Sequence, residues 1–142
     1  MGILMEKLKK LCNRIFIEGL SGMAQGLFAT LLVGTILEQI GNLLGGAVGG
    51  YLIVIATVAK KLTGAGIGVG VAARFRQSAL VSVSAVAAGM IGAYAKEITT
   101  GALLSDGVFT LGGVGEPLGA FVAAYLAVEL GGLVSGKTRV DI

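Results

Sequence analysis

Residues 131–138, GGLVSGKT, satisfy the pattern G-x-x-x-x-G-K-[ST] at Gly131, Gly136, Lys137 and Thr138. In that pattern backbone N–H groups of a glycine loop cradle phosphates, with the loop set between a buried strand and the N-terminus of a helix. Here the preceding LGAFVAAYLAVEL is an alanine-rich apolar run of helical character, and only Arg139, Val140, Asp141 and Ile142 follow. Four residues are too few for the helix whose dipole would hold the phosphates. Gly68-x-Gly70-x-x-Ala73 echoes a dinucleotide fingerprint in the same incomplete way, without the strand or the acidic residue some twenty positions on. Neither a nucleotide nor a nucleic acid is expected as a partner. Lys137 and Arg139 are read instead as positive anchors after a helix that ends near Gly136.

Other chemistry is limited by what the chain lacks. With no histidine and a single cysteine, it can build neither a zinc cluster, nor a Ser-His-Asp triad, nor a phosphohistidine. Catalytic residues, metal ligands and cofactors are all expected to be none. Cys12 sits among lysines and has no intrachain partner, so a reduced thiol and a palmitoylation target both stay open. The remaining candidates are carboxylates within or beside apolar segments: Glu38, Glu116 and Glu129. At mid-bilayer such a group costs about 2.5–3.5 kcal/mol on insertion scales and is retained mainly for a reason.

For Glu129, Tyr125 one turn earlier offers a hydroxyl partner. Glu38, with Gln39 and Asn42, lies near the outer end of the first span, where water can solvate it or a solute can meet it. Glu116 differs, because GGVGEP puts it in a glycine-rich stretch just before a proline and a helix start. Non-helical backbone at membrane depth is tolerated where it lines a cavity, and transporters bind substrate at half-helix ends near the midplane. There a carboxylate can accept two sugar hydroxyls, or it can cap the helix. Glu116, Glu38, Gln39 and Asn42 are therefore the candidate substrate-binding residues.

The elements that must position these groups are membrane helices. Of 142 residues, 55% are hydrophobic and 13% charged, with a mean hydropathy of +0.92. The chain reads as one all-α integral membrane domain over 1–142. Residues 1–18 form an interfacial basic helix, 19–136 a transmembrane bundle and 137–142 a cytoplasmic tail. No cleavable signal peptide is expected, since the first 18 residues are studded with charge.

Four full crossings are expected: one from residue 19, one ending at Lys60-Lys61, one over 77–95 and one over Pro117–Val134. GNLLGG (41–46) is expected as an external loop. LTGAGIGVGVAA (62–73) covers about 18 Å as a helix, too short to cross, and is read as re-entrant or broken, with five helices as the alternative. Both termini are then cytoplasmic, with Lys7 to Arg14, Lys60-Lys61, Arg74 with Arg76, and Lys137 with Arg139 all inward. Three small-residue stripes suit close helix packing: Gly22/Gly26/Thr30, Ser82/Ala85/Gly89/Gly92 and Gly119/Ala123/Ala127/Gly131. Three such faces exceed what one small bundle needs, so a homo-oligomer is expected.

GLFATLLVGTILEQIG, GEPLGAFVAAYLAVELG and GKTRVDI together resemble the EIIC membrane component of the bacterial phosphotransferase system, in the branch that includes toxin regulators. The resemblance implies a multi-span inner-membrane protein that carries a sugar or other small polar solute inward while a cytoplasmic EIIB partner phosphorylates it. GVGEP at 113–117 is also similar to the GITEP sugar-binding loop of glucose-type EIIC proteins, which implies Glu116 as a sugar ligand. Proteins of this branch usually continue into a second membrane half beyond VDI. That leaves a transport-incompetent sensor or regulator, or a structural half of a larger assembly, as the alternative to a sugar translocator. Lys137→Ala is expected to leave nucleotide binding undetectable, as in the native chain; a saturable ATP isotherm abolished by the substitution would reverse this.

Overall fold

Glycine on apolar helices lets backbones touch, and the pattern of those touches sets the architecture. The computed structural model describes residues 1–135. A single helix, α1, runs Gly2–Leu44. Then come α2 (Gly46–Lys61), α3 (Thr63–Arg74), α4 (Ala79–Ala93), the short α5 (Ala95–Thr100), a two-stranded hairpin of β1 (Leu104–Ser105) and β2 (Val108–Phe109), and α6 (Pro117–Val134).

At 43 residues, α1 is about 65 Å long, more than twice a hydrocarbon core. No break separates residues 3–18 from the apolar part; a π-helical stretch at Arg14–Gly19 joins them, and a second lies at Phe28–Leu32. Hydroxyls back-bond to carbonyls beside both stretches, Ser21 to Ile17 at 2.6 Å and Thr30 to Gly26 at 2.8 Å. Such bonds compete with the helical ladder and favour wider turns. The basic first turns of α1 bury nothing.

The turn at Gly45–Gly46, both at positive φ (64° and 63°), reverses the chain. The expected external loop shrinks to this pair, since Gly41 to Leu44 are still helical and Asn42 belongs to α1. Two pieces then return along α1. α2 lays Gly49 against Gly41 and Ala56 against Gly34; α3 continues with Gly66 against Gly26 and Gly70 against Gly22. A Cβ at Gly22 would stand 2.6 Å from the Gly70 oxygen and 2.8 Å from the Val71 Cα. The two pieces meet at Leu62 with a bend of 51°.

This geometry corrects the expected span pattern. α1 and α6 are each long and apolar enough to cross a membrane, and the bent α2–α3 pair makes one broken third span. Residues 62–73 are thus the second part of a bent return run, in keeping with the re-entrant or broken segment expected there. With 15 residues, α4 covers about 22 Å, short of a roughly 30 Å core, so four full crossings are not what the helix lengths support. Lys60 and Lys61, expected at the cytoplasmic end, lie midway along the return run.

α3 is the centre of the body. Ile67, Val71 and Ala72 on it are fully buried, packed with Ala85 of α4 and Ala120, Ala124 and Val128 of α6. Gly68 faces Ala85, and Gly64 faces Gly89 and Ala93. α6 in turn lays Gly119 on Gly92 and Gly131 on Val81. All three small-residue stripes therefore find partners inside the chain. α4 ends, and α6 begins, near the level of the Leu62 break. Val33–Leu44 and α2 project beyond as an arm, with Ile36, Ile40, Tyr51, Val54 and Val58 exposed. The result is an all-α membrane protein but for the small hairpin, whose Asp106-Gly107 turn has φ of 52° and 77°.

The first four residues of GGLVSGKT form the last turn of α6. Gly136, Lys137, Arg139 and the expected tail 137–142 lie outside the described residues.

Gly26→Ala is expected to destabilise the protein by about 1–3 kcal/mol, because the new methyl meets the Gly66–Ile67 backbone, 2.6 Å from the Ile67 nitrogen. Gly50→Ala, with nothing within 4 Å, should be neutral or stabilising. Thermal midpoints in mild detergent compare the two; equal midpoints would contradict the packing.

Candidate functional site

The break at Leu62 gathers polar groups where apolar helices would otherwise continue. Thr63 Oγ1 donates to the Lys60 carbonyl at 2.6 Å, adding to the backbone N–H which that carbonyl accepts at the helix end, and stands 3.4 Å from Thr30 Oγ1 on α1. Gly34 leaves room for the Lys60 stem on α1, where a Cβ would collide with Lys60 Cγ. Lys60 Nζ then reaches Glu38, one turn further on, and donates to its Oε2 at 2.7 Å. With side chains 19% and 32% exposed, the two charges neutralise each other part-way inside an apolar arm. Glu38 is therefore paired with a lysine, a partner that neither of the roles left open for it in the sequence had named.

Lys61 points the other way and donates from Nζ to the carbonyl of Leu111. That bond brings the glycine-rich loop 111–116 to the base of the arm. Gly113 and Gly115 take positive φ (66° and 89°), and a Cβ at Gly115 would lie 2.8 Å from that of Ala93. Only glycine fits a position so turned and so close. The loop is pinned by the Glu116 N–H donating to the Ala93 carbonyl at 2.7 Å and the Tyr94 hydroxyl to that of Gly113 at 3.3 Å. Between loop and arm lies a cleft of about 200 Å³ lined by Thr57, Lys60, Lys61, Gly113 and Val114. It is smaller than the roughly 300–1,000 Å³ of typical ligand sites.

Glu116 stands at the N-cap of α6. Its Oε1 accepts from the Leu118 N–H at 2.9 Å and its Oε2 from the Gly119 N–H at 2.6 Å, with Pro117 opening the helix. Of the two roles open to it, capping is the one it performs here; each oxygen keeps a lone pair for another donor, and the residue is exposed. Gln39 and Asn42 are exposed on α1. The structure thus links Glu38, through Lys60, to the cleft beside the Glu116 loop, and leaves Gln39 and Asn42 on the outer surface.

Glu129 belongs to the opposite end of the body. Its partner is Arg14, at 2.6 Å, rather than Tyr125; the Tyr125 hydroxyl is buried beside this pair without a hydrogen bond of good geometry. The Arg14 guanidinium also stacks 4.2 Å over Phe75, and Arg74 pairs with Glu18 at 2.6 Å. These contacts fasten α1 to α3 and α6 and are structural.

A family model described as phosphotransferase system, EIIC, matches residues 17–142. The chain belongs to the EIIC family. It is thus a membrane component of phosphotransferase-type sugar transport. No curated protein and no solved structure matches it. In this EIIC chain, sequence reasoning missed Lys60 and Lys61 as lining residues of the candidate cleft, although a signal was available. Gly46–Lys61 is 16 residues, about 24 Å as a helix, so lysines at its end fall short of the far membrane surface.

Replacing Glu116 by Ala removes both caps at the start of α6 and should lower stability by about 0.5–2 kcal/mol. Glu116→Gln, which keeps one acceptor, should lose less. Denaturation in detergent orders the three proteins; an alanine variant as stable as the native chain would deny the cap.

Proposed function

We propose that this EIIC chain binds a sugar, or another small polar solute, at the junction of arm and body and delivers it inward for phosphorylation by a separate cytoplasmic EIIB-type donor. The observation that carries this is the meeting of the Glu38–Lys60 pair with the Gly113–Glu116 loop at a broken span. Interrupted helices that present polar groups inside an apolar assembly are how membrane transporters hold solutes. A carboxylate accepts hydroxyls and an ammonium donates to them, so Glu38 and Lys60 offer a sugar both kinds of bond. Glu116, with its spare lone pairs, and Gln39 and Asn42, one face further round, are the other proposed ligands.

The proposed location is the bacterial inner membrane with both termini cytoplasmic. Support comes from the Arg14–Glu129 pair, which joins the start of α1 to the end of α6, and from the basic residues at that end, Lys7, Lys9, Lys10, Arg74 and Arg76. The apolar faces of the arm suit lipid, a second copy or a further membrane half.

Proteoliposomes loaded with the purified chain should accumulate labelled sugar only when an EIIB-type phosphate donor is supplied inside. Glu38→Gln should cut that uptake by about tenfold or more. Sugar binding without uptake under any donor condition would assign the chain to sensing instead of transport.

A further inference from the structure

We propose that the cleft at the base of the arm selects a polyhydroxylated solute bearing an anionic group, and that Lys61 is the residue that recognises its charge. This rests on the solute-binding function proposed above and names the chemical class of that solute. Among the described residues the junction holds four charged side chains, Glu38, Lys60, Lys61 and Glu116, beside the Tyr94 hydroxyl, which donates to the Gly113 carbonyl. Glu38 and Lys60 neutralise each other at 2.7 Å. Glu116 sets its charge against the positive end of α6, with both oxygens on backbone N–H groups. Lys96 and Glu97, on neighbouring α5, have opposite charges.

Lys61 is left over. Its ammonium contacts the Leu111 carbonyl, a neutral acceptor, and no described carboxylate lies within ion-pair distance of it. A cation held among apolar helices calls for a counter-charge. Next to it, the N–H groups of Gly112, Gly113, Val114 and Gly115 donate to no acceptor among the described residues, and Gly113 and Val114 line the cleft with Lys61. An ammonium beside free backbone donors is the environment that a carboxylate or phosphoryl group takes. One turn before Lys61 on α2, Thr57 Oγ1 donates to the Ile53 carbonyl and keeps its lone pairs, so a hydroxyl of the solute has an acceptor in the cleft.

The anionic group can be the carboxylate of a sugar acid or the phosphoryl group of a sugar ester. Titration calorimetry of the full chain in nanodiscs with glucose, glucuronate and glucose 6-phosphate, at fixed ionic strength, separates these sources. At least one charged sugar should bind about tenfold or more tightly than glucose; a gain for glucuronate assigns a sugar acid, and a gain for the ester alone a phosphorylated solute. Lys61→Gln should bring the ratio close to one, Lys61→Arg should keep it, and Arg76→Gln, at the far end of the body, should leave it unaltered. Equal affinity of the native chain for all three, or a ratio that survives Lys61→Gln, would overturn the assignment of charge selection while leaving sugar binding intact. Failure of all three to bind would remove the proposed solute site itself.

Discussion

Backbone contact between α1 and α3, at Gly22 with Gly70 and Gly26 with Gly66, is the constraint on which the rest of the chain depends. Lipid tails are as apolar as the helices, so helices in a bilayer associate through close packing rather than through escape from solvent. Glycine makes that packing possible because nothing stands between one backbone and the next. With α3 seated against α1, its other faces receive α4 through Gly64 and Gly68 and α6 through Val71 and Ala72. The body is built outward from one helix that exposes little, and a methyl group at the first contact would move everything behind it.

The same contact fixes the depth of the polar groups. Because α3 lies beside the first half of α1's apolar stretch, α2 can reach only the second half, and the joint between them falls midway. Bending the chain at Leu62 frees backbone carbonyls and brings Lys60 and Lys61 inward. Each then finds an oxygen within the fold, Glu38 for one and the Leu111 carbonyl for the other. The second bond draws the glycine loop under the arm and sets the start of α6, which Glu116 caps. A packing requirement between two glycines thus ends as a cleft lined by charge and open backbone.

At the other end of the body, charge does a different job. Arg14 with Glu129, and Arg74 with Glu18, join helices far apart in sequence, while Arg14 also stacks on Phe75. These pairs are half-exposed, where each contributes on the order of 0–1 kcal/mol. Their value is positional: they hold the register of α1 against α3 and α6, so that the glycine contacts above them meet.

Much of this was legible in the residues. Composition and charge spacing required apolar helices, Pro117 and the glycines before it marked the start of α6, and the short run 62–73 betrayed a re-entrant or broken segment. The Asp106-Gly107 pair carried a hairpin signal that the surrounding small residues obscured. What the residues could not convey was partnership. Positive-inside reasoning treats each basic pair by its distance from a span end, so Lys60-Lys61 and Arg74 seemed alike; tertiary packing separated them by a helix of twelve residues. Stripe counting finds faces without their partners, and only the fold showed each stripe meeting another within the chain. Sequence determined which groups are apolar, small or charged, because those are properties of single residues. Structure alone decided that Glu38 faces Lys60 and Arg14 faces Glu129, because such pairings depend on where helices far apart in the chain cross.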